Sequence, residues 1–187
     1  SSLRNMFDPR SDKTEGYHLF FEATGVASEV LAKTIGGLAA EYGGPIFAPH
    51  LTLLATIPEE SEELLMQKAR LLADRLLPFT LTLNGFGVED RYFRALYMKV
   101  QNGAEVENYH GAARDIFGGA DEGTYLPHVS LLYGLYDTER KQESIASLQP
   151  LSTVSFEVSS LTLWHTPGAT DVWKQIGEFP FGQQTSI

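Results

Sequence analysis

The sequence predicts an α+β fold with two similar lobes, in which two mostly antiparallel sheets face a central cleft and the helices lie on the outside. Two observations indicate this fold. Segments in which apolar residues alternate, as in strands, are interspersed with segments in which they recur at helical spacing. One order of elements also occurs twice: a helix, a glycine-containing break, a strand and a charged helix. A chain of 187 residues is long enough to build both lobes as one domain with a substantial core.

The first half of the chain predicts a strand over 17–24, a helix over 27–44, a strand over 46–57 and a helix over 58–77. The first helix has apolar residues at helical spacing, namely Val30, Leu31, Ile35 and Leu38. Two glycines followed by Pro45 end this helix. The second helix follows Pro58, and its acidic first turn suits the positive end of the helix dipole.

The second half predicts antiparallel strands over 79–83 and 92–100, a helix over 104–117, a strand that contains His128, a short helix over 137–148, a long strand over 153–166 and a last strand over 173–181. Alternation along the second of these strands places Arg91, Phe93, Ala95 and Tyr97 on one face. This face either carries Phe93 towards the cleft or belongs to an ordinary amphipathic strand.

The two ends of the chain differ from its middle. We expect residues 17–181 to form a single two-lobed domain. Residues 1–16 are polar and are expected to form a flexible N-terminal segment, and residues 182–187 are expected to form a C-terminal tail. The sequence leaves the role of residues 1–16 open.

Composition restricts the classes of function. The formal net charge is −10, so the surface repels polyanions, which argues against long nucleic acid and anionic membranes as partners. The absence of cysteine excludes disulfides, thiolate nucleophiles and Cys-ligated zinc. No run has the apolar length of a membrane span, and the polar N-terminus has no signal-peptide core. We therefore expect a soluble protein of the cytoplasm, with the nucleus as the alternative, and we expect it to be a monomer.

Two of the predicted strands contain the same short motif. It reads PHLTLL in the first copy and PHVSLL in the second, with His50 and His128 at matched positions. Successive side chains of a strand point to opposite faces, so His50 shares a face with Thr52, and His128 shares a face with Ser130. If a pseudo-two-fold axis relates the duplicated halves, both pairs face one cleft from opposite sides.

Two imidazoles and two hydroxyls suit the hydrolysis of a phosphate ester. A base takes a proton from water and an acid protonates the leaving oxygen, and histidine titrates near neutral pH for both roles. The hydroxyls of Thr52 and Ser130 can donate hydrogen bonds to the non-bridging phosphate oxygens. This chemistry requires no metal and no cofactor, and we expect neither. A cyclic 2′,3′-phosphate is the substrate class that fits best, because ring strain assists its opening.

A structural role is the alternative for each motif. A single His-x-Thr on a strand is more often a hydrogen-bonded structural histidine than a catalyst. Ancestral duplication explains the repeated apolar positions, but it does not explain why both copies keep the polar ones. We therefore predict that His50, Thr52, His128 and Ser130 form one catalytic site, with His128 as the base and His50 as the acid, although pseudo-symmetry permits the reverse. His18, in the first strand, shares a face with Phe20 and Glu22; bordering the cleft is one interpretation of this position, and a structural or surface role is the one we expect.

The paired motifs resemble those of the 2H phosphoesterase superfamily. Their settings, GGPIFAPHLTLL and YLPHVSLLYG, are most similar to plant-type cyclic phosphodiesterases, and the resemblance covers the chain from about Tyr17 to Phe179. It implies a two-lobed α+β fold and metal-independent hydrolysis of 2′,3′-cyclic nucleotides or of ADP-ribose 1″,2″-cyclic phosphate, with a link to by-products of tRNA splicing. The catalytic set that it implies is the same four residues.

The resemblance also implies aromatic residues that line the substrate cleft: Phe93, Tyr133 and Trp173. Tyr133 is three residues after Ser130, so an ideal strand places it on the opposite face, and a bulge or the strand end is needed to turn it into the cleft. For Phe93 and Trp173, packing in the core is the alternative, because large aromatic residues are usually buried.

Two other functions stay open. An RNA-end-processing member of the same superfamily, such as a 2′-5′ ligase-like or RNA-trimming enzyme, would act on polynucleotides and would need a basic track to the cleft, which the net charge of −10 disfavours. A binding module would recognise phosphate or a nucleotide without hydrolysing it. We predict a small, nucleotide-derived cyclic phosphate as the substrate.

Overall fold

The computed structural model describes residues 8–119 and 124–182 of the chain. The strands are β1 Tyr17–Glu22, β2 His50–Ile57, β3 Phe79–Val88, β4 Leu96–Val100, β5 His128–Leu132, β6 Thr153–Val158, β7 Ser160–His165 and β8 Lys174–Pro180. The α-helices are α1 Gly25–Tyr42, α2 Glu62–Arg75, α3 Gly103–Phe117 and α4 Thr138–Leu148. Within the described ranges, no helix is long and apolar enough to cross a membrane. The predicted tail lies outside the described residues from position 183 onwards.

The eight strands form one antiparallel sheet in the order β6-β3-β4-β5-β2-β1-β7-β8. Two groups of four strands, β6-β3-β4-β5 and β2-β1-β7-β8, meet in its middle, where β2 pairs with β5 through Leu51 and Val129. The predicted α+β class and the two-lobed duplication are confirmed. The two predicted sheets are the halves of one sheet, because the inner strand of each group pairs with that of the other. Alternation within a strand does not show which strand lies beside it.

Helices α1, α2 and α3 bury the apolar side chains on one face of the sheet. Leu51 and Leu53 of β2 share a fully buried core there with Val129 and Leu131 of β5. Full burial of such a side chain contributes roughly 1.5–3 kcal/mol. Helix α1 precedes β2 but packs on β5, and α3 precedes β5 but packs on β2, so these helices hold the halves together. Val30 is the one residue of the apolar stripe predicted for α1 that lies outside this core.

Local sequence explains where the helices begin and end. Ser61 caps α2 by accepting a hydrogen bond of 3.2 Å from the backbone N–H of Leu64. Asp137 caps α4 in the same way, because its carboxylate accepts a hydrogen bond of 3.2 Å from the backbone N–H of Arg140. Helix α1 ends where Gly43 adopts a left-handed φ of 75°.

Several predicted strands differ from the structure in their bounds: the strand predicted over 46–57 begins at His50, and the strand predicted over 79–83 continues to Val88. Two others differ more. The long strand predicted over 153–166 is two strands, β6 and β7, which lie in opposite halves of the sheet. The strand predicted over 92–100 begins only at Leu96, because Tyr92–Arg94 forms a 3₁₀ turn. Both differences have one cause. Apolar and polar residues keep alternating through the 3₁₀ turn and through the break between β6 and β7, so the pattern does not show where a strand begins or ends.

Residues 8–16, called the strap here, are held at one end by the connection between β3 and β4. The backbone N–H of Tyr92 donates to the carbonyl of Pro9 at 2.8 Å. Beside it, the Arg10 guanidinium pairs with the Asp90 carboxylate. This connection belongs to the β6-β3-β4-β5 half of the sheet.

The other end of the strap is held by the connection between β7 and β8. Thr14 and Gly168 exchange two backbone hydrogen bonds, of 3.2 and 2.8 Å. Next to them, the carbonyl of Gly16 accepts from the backbone N–H of Thr166 at 3.0 Å. The sequence predicts only a polar, flexible segment over 1–16, whereas these contacts tie its described part to both halves of the sheet. Residues 1–7 lie outside the described residues.

The turn from the strap into β1 generates a stability prediction. Gly16 has φ +74°, and a Cβ there would lie 2.3 Å from the carbonyl oxygen of Ile57. Gly25 has φ +62° with nothing within 4 Å of such a Cβ, so it is a matched control. We expect Gly25→Ala to lower the free energy of unfolding by about 1 kcal/mol, and Gly16→Ala to lower it by roughly 2–4 kcal/mol, because the Ile57 backbone must also move. Urea denaturation followed by circular dichroism measures both. Equal losses would show that the contact with Ile57 is easily relieved.

Candidate active site

His50 and His128 are the first residues of β2 and β5, the two strands that join the halves of the sheet. Each precedes a residue of the pair Leu51 and Val129, whose side chains face the helices. The histidines therefore lie on the opposite face, where both line one cavity of about 560 Å³. A volume of roughly 300–1,000 Å³ is typical of small-molecule sites.

The register between β2 and β5 sets the two motifs against each other. Extending the antiparallel pair of Leu51 and Val129 by one residue places His50 opposite Ser130 and Thr52 opposite His128. Directly opposite residues have Cβ atoms about 4.5–5.5 Å apart. Each imidazole therefore stands across from the hydroxyl of the other motif, and all four side chains line the cavity.

Both imidazole rings are oriented by the same backbone contact. The Nδ1–H of His50 donates to the carbonyl of Ala48 at 2.7 Å, and the Nδ1–H of His128 donates to the carbonyl of Leu126 at 2.8 Å. A carbonyl only accepts, so Nδ1 carries the proton in each ring. The neutral Nε2 atoms are then left with their lone pairs for the cavity.

Burial keeps both imidazoles neutral in the free protein. It lowers the pKa of His50 to about 4, opposed by the hydrogen bond to Ala48. It also lowers the pKa of His128 to about 4, and there the positive charges of Arg94 and Arg91 act in the same direction. The two histidines thus differ in their charged neighbours, because no cation contributes to the pKa shift of His50.

The two hydroxyl groups are not equivalent. The Ser130 hydroxyl donates to the carbonyl of Phe93 at 2.7 Å, so its proton is engaged within the protein. Among residues 8–119 and 124–182, the Thr52 hydroxyl has no hydrogen-bond partner, while its backbone carbonyl accepts from the Tyr125 hydroxyl at 2.8 Å. The sequence predicts two equal phosphate donors; in the structure Thr52 is free to donate, and Ser130 must first leave Phe93.

The three predicted aromatic residues lie in the same wall of the cavity. The ring of Phe93 is 5.0 Å from that of Tyr133 and 5.8 Å from that of Trp173, measured between centroids. Phe93 reaches the cavity from the 3₁₀ turn that precedes β4, not from a strand. Phe93 and Trp173 are both partly exposed, so neither is a core residue.

Tyr133 enters the cavity wall because β5 ends at Leu132. Tyr133 is three residues after Ser130, so either a bulge or the end of the strand was needed to turn its side chain into the cleft; the structure shows the strand end. Tyr133 is only 3% exposed, and its ring stacks on Phe47 with centroids 3.7 Å apart. The Tyr133 ring is therefore fixed in place by its packing, and only a small part of its surface faces the cavity.

Phe20, on β1, is an aromatic neighbour of the catalytic candidates that was not among the predicted site residues. Its ring stacks on the imidazole of His50 with centroids 3.8 Å apart and an interplanar angle of 24°. This contact covers one face of the imidazole and holds its plane. The alternation of β1, which puts Phe20 and His18 on one face, is the signal that could have found it.

His18 lies in the cavity wall as well as in a structural network. Its Nδ1 is hydrogen-bonded to the hydroxyl of Thr166, and its Nε2 lies 3.4 Å from the hydroxyl of Thr14 in the strap. Burial, and then the charge of His50, lower the pKa of His18 to about 3. The expected structural role fits these contacts, but the side chain borders the cleft.

A pair of arginines beside His128 was also absent from the predicted site. Arg94 and Arg91 line the cavity from the connection between β3 and β4. Both interact with the Glu89 carboxylate, Arg94 through a short hydrogen bond and Arg91 at 3.6 Å. Behind them the buried Lys141 donates from Nζ to the carbonyl of Glu89 at 2.7 Å. Basic residues within the aromatic run RYFRALY are the sequence signal for this cluster.

Comparisons with known proteins show the family and the fold of the chain. The sequence profile described as the 2′-5′ RNA ligase superfamily matches residues 34–170. A cyclic phosphodiesterase of Arabidopsis thaliana is 28% identical over 140 residues, which cover 72% of this chain and 76% of that protein.

In the part of the chain that the structure describes, no group of three or more His, Cys, Asp or Glu residues is placed to hold a metal ion.

Solved structures show the same fold. A phosphoesterase crystal structure matches with a TM-score of 0.59 and 20% sequence identity, covering 90% of this chain and 100% of that chain. The structure of LigT from E. coli complexed with 3′-AMP matches with a TM-score of 0.58 and 19% identity, again covering 90% of this chain and 100% of that chain.

The unequal charges beside the two histidines generate a prediction. Removing the guanidinium in Arg94→Ala takes away a positive charge that disfavours the imidazolium of His128, so the pKa of His128 should rise while that of His50 changes less. Side-chain NMR of the histidines during a pH titration measures both values. Arg75→Ala, an exposed position on α2 outside the cavity, is the control. Equal shifts of the two histidines in Arg94→Ala would contradict the assignment of Arg94 to the His128 side.

Proposed function

Because the chain belongs to the 2′-5′ RNA ligase superfamily, whose profile matches residues 34–170, we propose that it hydrolyses a cyclic phosphodiester to a phosphomonoester without a metal ion. The observation that carries this proposal is the pair of imidazoles on β2 and β5. Each is held by an Nδ1 hydrogen bond to backbone, and each leaves Nε2 for the same cavity. An acid and a base on two sides of one space are what the cleavage of a phosphodiester requires.

The proposed reaction is a single displacement at phosphorus. The neutral Nε2 of His128 accepts a proton from water, and the water oxygen forms a bond to phosphorus. The bond from phosphorus to one ribose oxygen breaks, and the protonated His50 delivers its Nε2 proton to that oxygen. The cyclic diester and one water become a phosphomonoester and a hydroxyl, and the two histidines exchange their protonation states.

The charges around the cavity support His128 as the base and His50 as the acid. Arg94 and Arg91 disfavour protonation of His128, so it stays neutral and able to accept a proton. His50 has no such cationic contribution, and the negative charge of a bound phosphate raises its pKa towards the range in which it carries a proton. The reverse assignment would place the imidazolium beside two guanidinium groups, which costs electrostatic free energy.

The remaining polar groups are proposed to hold the phosphate. The free hydroxyl of Thr52 donates to one non-bridging oxygen, and Arg94 supplies a charge that stabilises the developing negative charge. Ser130 becomes a second donor when its hydroxyl turns from the Phe93 carbonyl to the phosphate. Thr52, Arg94 and Ser130 are all at least partly buried, so their interactions with an anion are less screened than those of fully exposed groups.

The substrate is proposed to be a small nucleotide derivative. The relative from Arabidopsis thaliana is named a cyclic phosphodiesterase, and one matched LigT structure is a complex with 3′-AMP. The wall of Phe93, Tyr133 and Trp173 offers flat apolar surface of the kind that packs against a base or sugar. A 2′,3′-cyclic nucleotide and ADP-ribose 1″,2″-cyclic phosphate both belong to this class.

Membership of the superfamily favours one second candidate, the processing of RNA ends. A polynucleotide would need a basic surface that leads to the cavity, and the net charge of −10 disfavours one. Binding without turnover is the alternative from another class. Isothermal titration with a 2′,3′-cyclic nucleotide, run beside a turnover assay, separates binding from hydrolysis.

The paired histidines generate the first test of this function. We expect His50→Ala and His128→Ala each to lower kcat by about 10²–10⁴-fold, because each removes one partner of the general acid–base pair. The assay uses a 2′,3′-cyclic nucleotide with EDTA present throughout, and phosphorus NMR identifies the product.

The matched control is His165→Ala, a histidine outside the cavity, which should keep wild-type kcat. Circular dichroism checks that all three variants fold. Full activity in either cavity variant would overturn the mechanism, and loss of wild-type activity in EDTA would overturn its metal-free part.

The pH dependence of the rate is the second test. A neutral base and a protonated acid predict a bell-shaped profile, in which the two apparent pKa values belong to the coupled pair. Bound substrate adds negative charge beside His50, so its pKa rises in the complex and the alkaline limb of kcat should lie at higher pH than that of kcat/KM. Steady-state kinetics from pH 3 to pH 9 measures both limbs, because the pKa of each histidine is about 4 in the free protein. A kcat that rises monotonically over this range would exclude a protonated histidine as the acid.

A further inference from the structure

The lining of the cavity contains cationic side chains that the proposed reaction does not use. Three cationic side chains line the cavity, Lys13 from the strap and Arg91 and Arg94 from the connection between β3 and β4. Of the residues that the structure describes, Asp8 is the single carboxylate in the lining. This excess is local, because the whole chain has a net charge of −10.

Two of these cations are available to a ligand. Arg94 is committed to Glu89 by a short hydrogen bond and is largely covered. Arg91 is about half exposed, and its only ionic contact among the described residues is the looser one of 3.6 Å to the same carboxylate. Lys13 is exposed and forms no ion pair within residues 8–119 and 124–182.

The strap places the segments of these two residues side by side. The N–H of Tyr92, the residue after Arg91, donates to the carbonyl of Pro9. The residue before Arg91, Asp90, pairs with Arg10 of the strap. Lys13 follows three residues later, before the strap reaches its second anchor, so both cations border the same cavity from adjoining segments.

We propose that Lys13 and Arg91 form a second anion subsite, which binds a phosphate group of the substrate other than the one that is cleaved. An arginine fork and a lysine ammonium are the side chains that proteins use most for phosphate. The preferred substrate is then a nucleoside 2′,3′-cyclic phosphate that also carries a phosphate on its 5′ oxygen. This inference rests on the proposed function and specifies the substrate of the same site.

A matched pair of substrates tests the subsite. Adenosine 2′,3′-cyclic phosphate is compared with the same compound bearing a 5′-phosphate, and kcat/KM is measured for each at low and high salt. We expect the wild type to prefer the 5′-phosphorylated compound by about fivefold at low salt, the size of effect that a solvent-exposed charge pair provides. The preference should decrease as salt rises, because exposed charges are screened.

Variants assign the preference to the two residues. Lys13→Ala and Arg91→Ala should each remove most of it, read as the ratio of kcat/KM values so that a general change in rate cancels. Lys33→Ala is the control, since it removes an equal charge from an exposed position of α1 outside the cavity and should keep the preference.

Failure of the subsite and failure of the proposed function give different results. Equal kcat/KM for both compounds in the wild type, or an unchanged ratio in Lys13→Ala and Arg91→Ala, would overturn the subsite while hydrolysis stands. No turnover of either compound would overturn the proposed function. Isothermal titration then still tests the subsite, because the 5′-phosphorylated compound should bind more tightly to the wild type than to Lys13→Ala, and equal binding would overturn it.

Discussion

The pairing of β2 with β5 is the contact on which the rest of the site depends. It joins two groups of four strands through one register pair, Leu51 and Val129, and the crossed packing of α1 and α3 holds it from behind. Because the side-chain period of a strand is two, this single register decides that both histidines face the cavity while their neighbours enter the core. A slip by one residue on either strand would exchange an imidazole for a leucine or a valine. The geometry of the candidate site and the packing of the core are thus set by the same contact.

The duplicated halves supply a symmetric scaffold, and the surrounding residues make the site asymmetric. Each histidine has the same Nδ1 hydrogen bond, but guanidinium groups lie beside one and an aromatic face covers the other. The two hydroxyls differ as well, because within the described part of the chain only the Ser130 hydroxyl donates a hydrogen bond. A reaction with one acid and one base needs this difference, since two identical environments would give two identical protonation states. In the proposed mechanism, duplication provides the two histidine positions, and the residues of the connections around them provide the difference between acid and base.

Most of the strands and helices, and the four residues at the centre of the site, could be predicted from the sequence, because each depends on a repeating pattern of side chains. Alternation gives the strands, helical spacing gives the helices, and the doubled motif gives four residues that meet in one cavity. What the sequence does not show lies where periodicity ends. Arg94 and Phe93 reach the cavity from a 3₁₀ turn inside an apparently continuous strand, and the strap belongs to the site through backbone hydrogen bonds that any polar segment can make. The pairing of β2 with β5 is equally hidden, since it is a long-range contact between strands of two different halves.

The anchoring of the strap has a consequence for how the cavity exchanges its contents with solvent. Its ends are held by a few backbone hydrogen bonds and one exposed ion pair, whereas the sheet behind it is held by a continuous apolar core. Local opening of a segment costs only the contacts of that segment, so the strap can detach at a small fraction of the free energy of global unfolding. We therefore expect this wall of the cavity to open as a unit separate from the sheet. Substrate entry and product release through it would proceed on the timescale of a loop while β2 and β5 stay paired.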